Sequence, residues 1–169
     1  LLLFPLGLGA FLTEAFLPAA ALAAAAFLYC QARILHGAKG IPAWRAPEVV
    51  ALVVLTGLAE GAGLLVLFSA APLALAALGI AVVARAWAWM RYRGATRNAA
   101  LEQPGKSLLW VGTVAVLVAG AASFYLPEAA LLAGLAAVFA GWHFKLALVT
   151  RAAFNQGFAL PRLPVRGTR

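Results

Sequence analysis

The sequence is poor in charged groups, and this scarcity determines the class of protein. Only 11% of its 169 residues are charged, whereas 65% are hydrophobic. A soluble domain is about a quarter charged and about half apolar, and the mean hydropathy here is +0.97. A single globular core could not hide so much apolar side chain, so the composition predicts a protein of the lipid bilayer and argues against a disordered chain.

Acidic and sulfur-containing side chains are scarce as well. The chain has five acidic residues, all of them Glu, and this argues against a metal enzyme built on carboxylates. The single Cys30 excludes an intramolecular disulfide and a metal cage made only of cysteines. The sequence has no Gly-rich phosphate loop, nucleophile elbow or paired-carboxylate signature, so we assign no catalytic residue and no metal ligand. Whether the chain itself is an enzyme stays open at this stage.

Long apolar runs are what the sequence does have. Five stretches reach the roughly 20 residues that a membrane helix needs, at about 16–35, 48–69, 72–90, 107–126 and 129–149. Residues 1–11 resemble the end of a preceding helix, since a signal peptide would need a basic start. The prediction is all-α: one integral-membrane domain over 1–169, a polytopic helical bundle with a basic tail at 150–169.

The net charge of +8 lies in alternate connections. Basic residues follow the first, third and fifth predicted spans, whereas the connections after the second and fourth carry none. Successive spans alternate sides, so the basic connections share one membrane face, here called the basic face, which the positive-inside rule assigns to the cytoplasm together with the C-terminus. This charge suits a membrane surface, and nucleic acid binding is not indicated. All five tryptophans also lie toward the basic face, as a lipid-facing belt or as a docking surface for a soluble subunit.

Glu60 is the deepest charge in the predicted bundle. It lies about 13–18 Å from either end of its helix, at 1.5 Å per residue, beside Gly57 and Gly61, a pair of small residues that favours close helix packing. We interpret it as a quinone hydrogen-bond partner or a proton-relay carboxyl. The alternative is a neutral Glu that forms a hydrogen bond across two helices.

Two cations and two histidines lie nearer the basic face. For Arg85 and Lys145, snorkelling of the side chain toward water is the favoured interpretation. An Arg85 that turned inward would instead be a counter-ion for Glu60 or for a ligand oxygen. His36 and His143 could in principle ligate haem, but His36 stands in a loop sequence, so no haem is expected.

A stripe of small residues marks the fifth predicted span. Ala130, Gly134, Ala137 and Gly141 recur at helical spacing along one face. Small side chains let two backbones approach closely, so we expect this helix to pack inside the bundle.

Two stretches carry a family resemblance. The first is Tyr-Cys-Gln-Ala-Arg at 29–33 followed by Gly-Ile-Pro-Ala-Trp-Arg-Ala-Pro at 40–47, and the second is Gly-Trp-His-Phe-Lys at 141–145 with the run 150–161 and Arg-Gly at 166–167. They resemble the NrfD/DmsC-type membrane anchors of complex iron-sulfur molybdoenzymes, the DMSO reductase and polysulfide reductase type. Within that family the tail is similar to anchors of phenylacetyl-CoA:acceptor oxidoreductases.

The resemblance implies a subunit of the bacterial inner membrane that exchanges electrons with menaquinone or ubiquinone and has no haem of its own. Its partners would be lipid, a four-cluster iron-sulfur subunit and a molybdopterin catalytic subunit. Family anchors have about eight spans, so this chain would be the C-terminal part of a longer anchor. The family's quinone ligands lie largely in the first helices, so none transfers to a residue here. Respiratory members carry their catalytic subunits outside, opposite to the side that the basic loops favour.

The sequence therefore predicts a membrane anchor and electron-transfer subunit. Glu60 and Arg85 are the candidate quinone or proton-relay residues, and Lys39, Trp44 and Arg45 are the candidate docking residues. The alternative is a small transporter or channel-like bundle that uses Glu60 and Arg85 as a pair. A purely structural membrane subunit is the third possibility.

Overall fold

The computed structural model describes residues 3–38 and 40–154, and within them it contains five helices long and apolar enough to cross a membrane. They are called spans 1 to 5 and run Leu17–Gly37, Glu48–Phe68, Pro72–Ala95, Ala99–Ala122 and Ala129–Ala153. The shorter elements are Leu3–Leu12, the 3₁₀ turn Glu14–Phe16 and Pro42–Arg45. Span 5 consists of the helix Ala129–Val149 and, after a turn at Thr150, most of the short helix Arg151–Phe154. No strand occurs in this part of the chain, so the predicted all-helical membrane bundle is confirmed.

Span 4 differs most from its predicted bounds. It begins at Ala99 rather than near residue 107, because the Asn98 side chain accepts a hydrogen bond from the Ala100 amide at 2.9 Å and caps the helix. Its first turns are polar and contain Pro104, so apolar composition alone misses them. Span 3 also continues to Ala95, and the connection between the two spans is reduced to residues 96–98.

Span 4 is not a regular α-helix throughout. Its first part is α-helical over Ala99–Leu109 and its last part over Val116–Ala122, with a wider π-helical turn at Trp110–Ala115 between them. Such turns interrupt the regular hydrogen-bond ladder and often occur at functional positions.

Spans 2 and 5 cross closely through glycines. A methyl group added at Gly63 would lie 2.9 Å from the carbonyl oxygen of Gly134, so neither position has room for a larger side chain. The predicted inward packing of span 5 is confirmed, because its stripe of small residues is buried. Gly61 faces open space, so Gly63 has the role that we expected of Gly61, while Gly57 lies against Leu28 of span 1.

Hydrogen bonds join the ends of the spans on the basic face. The Trp44 indole donates to the Leu148 carbonyl at 3.1 Å, and the Tyr92 hydroxyl donates to the Ala43 carbonyl at 2.7 Å. His36 Nδ1 lies 3.2 Å from the Trp44 carbonyl oxygen. The short helix Pro42–Arg45 is therefore tied to the ends of spans 1, 3 and 5, which agrees with the predicted alternation of the connections.

Candidate functional site

Glu60 of span 2 forms an ion pair with Lys145 of span 5. The Lys145 ammonium donates to Glu60 Oε2, and the carboxyl group lies against Gly141, one helical turn before Lys145. A methyl group at Gly141 would come within 2.6 Å of Glu60 Oε1. Glycine at this position therefore provides the space in which the carboxyl group reaches span 5.

The ion pair is partly accessible and partly unsatisfied. The Glu60 side chain is 15% exposed and the Lys145 side chain 35% exposed. Glu60 Oε1 is buried without a hydrogen-bond partner. Burying such an oxygen unpaired costs about 1–3 kcal/mol, so Glu60 Oε1 is an unsatisfied acceptor inside the bundle.

A cleft of about 380 Å³ opens beside Lys145 between spans 1, 2 and 5. Gln31 and Lys145 are the polar residues of its lining, and the other lining residues are apolar. It is lined by Gln31, Ile34, Leu35, Val53, Lys145, Leu148 and Val149. A mostly apolar cleft of this size with two polar groups is typical of a site for a small, largely apolar molecule.

Arg85 is fully buried in a second polar region, where backbone carbonyls take the place of a carboxylate. Its guanidinium donates to the Ala137 carbonyl at 3.1 Å and to the Gly112 carbonyl in the π-helical turn. The two carbonyls belong to spans 5 and 4, so one guanidinium links spans 3, 4 and 5. Nε of Arg85 is buried without a partner.

These contacts correct the interpretation of both cations. Snorkelling is wrong for Arg85, which turns into the bundle, and for Lys145, which pairs with Glu60. Arg85 is also not the ion-pair partner of Glu60, so the pair required by the transporter alternative is not formed. Sequence reasoning missed Lys145 as a site residue, although Gly141 four residues earlier was a usable signal for a side chain from another helix.

The aromatic residues divide into exposed and buried groups. Trp87, Trp110 and Trp142 are more than half exposed, as expected of a lipid-facing belt, although Trp110 lies in the middle of span 4 rather than at its start. Trp89 is only 3% exposed, and its ring packs edge to face against the ring of Phe144, with the two ring centroids 5.1 Å apart. The guanidinium of Arg91 forms a cation–π contact with Trp87, 5.7 Å from the centroid of its ring.

The candidate docking residues have different environments. Trp44 is half-buried and bonded to Leu148, whereas Arg45 is exposed on the basic face. Lys39 lies outside the described residues.

Neither histidine is placed by this structure at a metal centre. His36 lies at the Trp44 carbonyl, and His143 stacks on Phe139 with ring centroids 6.2 Å apart. Among residues 3–38 and 40–154 there is no group of three or more His, Cys, Asp or Glu that could hold a metal ion. Comparison of the chain with protein-family models, curated proteins and solved structures finds no match in any of them.

Proposed function

We propose that this chain is a membrane anchor and electron-transfer subunit that links an iron-sulfur and molybdopterin oxidoreductase to the quinone pool. The observation that carries the proposal is the Glu60–Lys145 ion pair at the edge of an apolar cleft. The sequence resemblance to NrfD/DmsC-type anchors supports the same assignment independently of the pair.

The energetics of the pair favour a functional role. Bringing two charges into a helical bundle has a desolvation cost that can exceed their mutual attraction, and apolar residues of the same size often stabilise a fold equally well. Ionisable residues within membrane spans are therefore functional candidates by default. Glu60 Oε1 supports this argument, because a buried acceptor without a hydrogen-bond partner is uncommon and calls for an explanation.

The polar groups of the cleft suit a quinone head group. A quinone has an apolar ring with two carbonyl oxygens, and its reduction to quinol takes up two electrons and two protons. The Lys145 ammonium and the Gln31 amide can each donate a hydrogen bond, while the apolar residues of the cleft accommodate the ring. Glu60 would hold a proton and return Lys145 to its charged form, with protons arriving from the basic face and electrons from the iron-sulfur partner.

The basic face supports the docking part of the proposal. Arg45 is exposed there, and the helix Pro42–Arg45 is held by hydrogen bonds to spans 3 and 5. A rigid basic surface next to the ends of three spans is suited to a soluble subunit. We propose the cytoplasm as the side of this face, because the basic connections lie there.

Purification of the tagged chain from its native bacterial membrane tests the proposal. The expected result is co-purification of subunits containing iron-sulfur clusters and molybdopterin, with electron transfer between quinol and an artificial acceptor. Replacement of Lys145 by Met should slow this transfer while the partners remain bound, and Lys106→Met is the matched control on the same face.

Two results would contradict the anchor assignment. One is a preparation that contains neither iron-sulfur clusters nor molybdenum. The other is proton or solute flux by the chain alone in vesicles, abolished by Lys145→Met, which would favour a transporter.

A further inference from the structure

A second cleft, with a volume of about 680 Å³, lies at the junction of spans 3 and 4, on the basic face. It is lined by Met90, Arg93, Gly94, Arg97, Asn98, Ala99 and Glu102. Arg93 donates to both carboxylate oxygens of Glu102, at 3.2 and 3.1 Å. Among the described residues no carboxylate pairs with Arg97, so the cleft has one uncompensated positive charge.

An apolar groove with a volume of about 750 Å³ follows the same side of span 3 into the membrane. Its lining is Ala76, Gly79, Ile80, Val83, Ala84, Trp87 and Leu117. Ile80, Val83, Trp87 and the cleft residue Met90 follow one another at intervals of three, four and three residues, so they form one helical stripe. All four are more than half exposed.

The cleft at the junction of spans 3 and 4 and the apolar groove together have the dimensions and chemistry of one lipid molecule. Arg93 and Gly79 are fourteen residues apart, which is about 21 Å along a helix, compared with about 15 Å for the hydrocarbon of one leaflet. Gly79 deepens the groove, because it has no side chain where an acyl chain would lie. A basic pocket between membrane helices is a known kind of site for anionic lipid head groups.

We propose that this face binds one anionic phospholipid, with its phosphate at Arg97 and one acyl chain in the groove between spans 3 and 4. Arg93 borders the head group but is already occupied by Glu102. Arg97 therefore supplies the selectivity for an anionic over a zwitterionic lipid, and Trp87 lies beside the upper part of the acyl chain. This site is separate from the Glu60–Lys145 pair and does not depend on the proposed anchor function.

Trp87 provides a direct measurement of lipid binding. The purified full chain is placed in vesicles in which either phosphatidylglycerol or an equal fraction of phosphatidylcholine has brominated acyl chains, which quench nearby tryptophans. The signal of Trp87 is the difference between the native chain and Trp87→Phe. Near the membrane surface one arginine contributes enough binding energy for about a fivefold preference, so half-maximal quenching should require about fivefold less brominated phosphatidylglycerol than phosphatidylcholine.

Arg97→Gln should remove this preference, while Arg33→Gln, a change at another exposed arginine near the basic face, should keep it. Equal quenching by the two lipids in the native chain would overturn the proposal. Loss of the preference in both variants would also overturn it, because it would mean that general surface charge attracts the lipid. Displacement of the lipid by soluble glycerol phosphate at an equal concentration would show a site for phosphate alone and would contradict the acyl-chain groove.

Discussion

Two polar regions lie within this apolar bundle, and the charged side chains in them have different kinds of partner. Arg85 is enclosed by spans 3, 4 and 5 and binds only backbone carbonyls. Glu60 and Lys145 bind each other next to a cleft, and both remain partly accessible. The first region is closed, and the second can exchange a partner.

The difference separates a charge that holds the fold from a charge that can do chemistry. The carbonyls bonded to Arg85 belong to the backbones of two other spans, so the residue acts as a link among three helices. Lys145 has further donor protons beyond the one used by Glu60, and Glu60 has an unused oxygen. The depth of a charged residue in the membrane does not distinguish a structural charge from a reactive one. The two differ in whether the charged residue lines a cleft, as Lys145 does and the fully buried Arg85 does not.

Removal of the Arg85 side chain should have the largest effect on stability. Arg85→Leu removes the hydrogen bonds to the Gly112 and Ala137 carbonyls and opens a gap among three spans, so we expect a loss of about 3 kcal/mol in the free energy of unfolding. Denaturation in mixed detergent micelles, followed by circular dichroism, measures it. Arg91→Gln, at an exposed residue of the same span, is the control. An unchanged stability of Arg85→Leu would mean that Arg85 does not link the helices.

Glu60→Gln should leave stability nearly unchanged and affect turnover instead. The amide oxygen can still accept from Lys145, but the group no longer takes up a proton, so we expect quinone turnover in the complex to fall roughly a hundredfold, the usual contribution of an acid–base group. Steady-state kinetics with a quinol substrate measures the effect, with Glu128→Gln in an exposed turn as the control. If turnover stays normal, Glu60 has only a packing role.

Alanine substitutions at two glycines test whether the surroundings of Arg85 are more rigid than those of the Glu60–Lys145 pair. A methyl group at Gly112 would lie 2.7 Å from both Arg85 Nη2 and Ala140 Cβ, while one at Gly141 would meet the movable carboxyl group of Glu60. We expect about 2 kcal/mol of destabilisation for Gly112→Ala and about 1 kcal/mol for Gly141→Ala. Gly120→Ala, which would enter open space, serves as the control in the same unfolding assay. The reverse order would contradict the distinction between a closed and an open region.

Loss of the Trp44 indole donor should have the smallest effect. Trp44→Phe keeps an aromatic ring but removes the hydrogen bond to Leu148, so the bundle should lose about 1 kcal/mol of stability. Limited proteolysis of the connection before span 2 provides a second readout, since its cleavage should become faster. Trp110→Phe, at an exposed position, should change neither quantity.

Much of the architecture could be predicted from the sequence, and the limits of that prediction have identifiable causes. The number of spans follows from the apolar runs, and the depth of Glu60 follows from helix geometry. The start of span 4 could not be predicted from hydropathy, because the Asn98 cap begins a helix whose residues 102–107 are mostly polar and include Pro104. The choice of Gly63 over Gly61 as the crossing point depends on the angle at which span 5 approaches, and neighbouring glycines of one helix do not encode that angle.

Composition and periodicity thus determined the membrane class, the helical bundle and the position of Glu60 within its span, because these depend on transfer of side chains out of water and on the rise of a helix. The tertiary structure decided which charges meet. Lys145 and Arg85 have similar positions relative to the basic face in the sequence, yet Gly141 opens a place for Glu60 beside Lys145, and the π-helical turn offers a carbonyl to Arg85. The partner of each charge depends on the space and on the carbonyls that neighbouring helices place beside it, and this arrangement arises only when the helices pack.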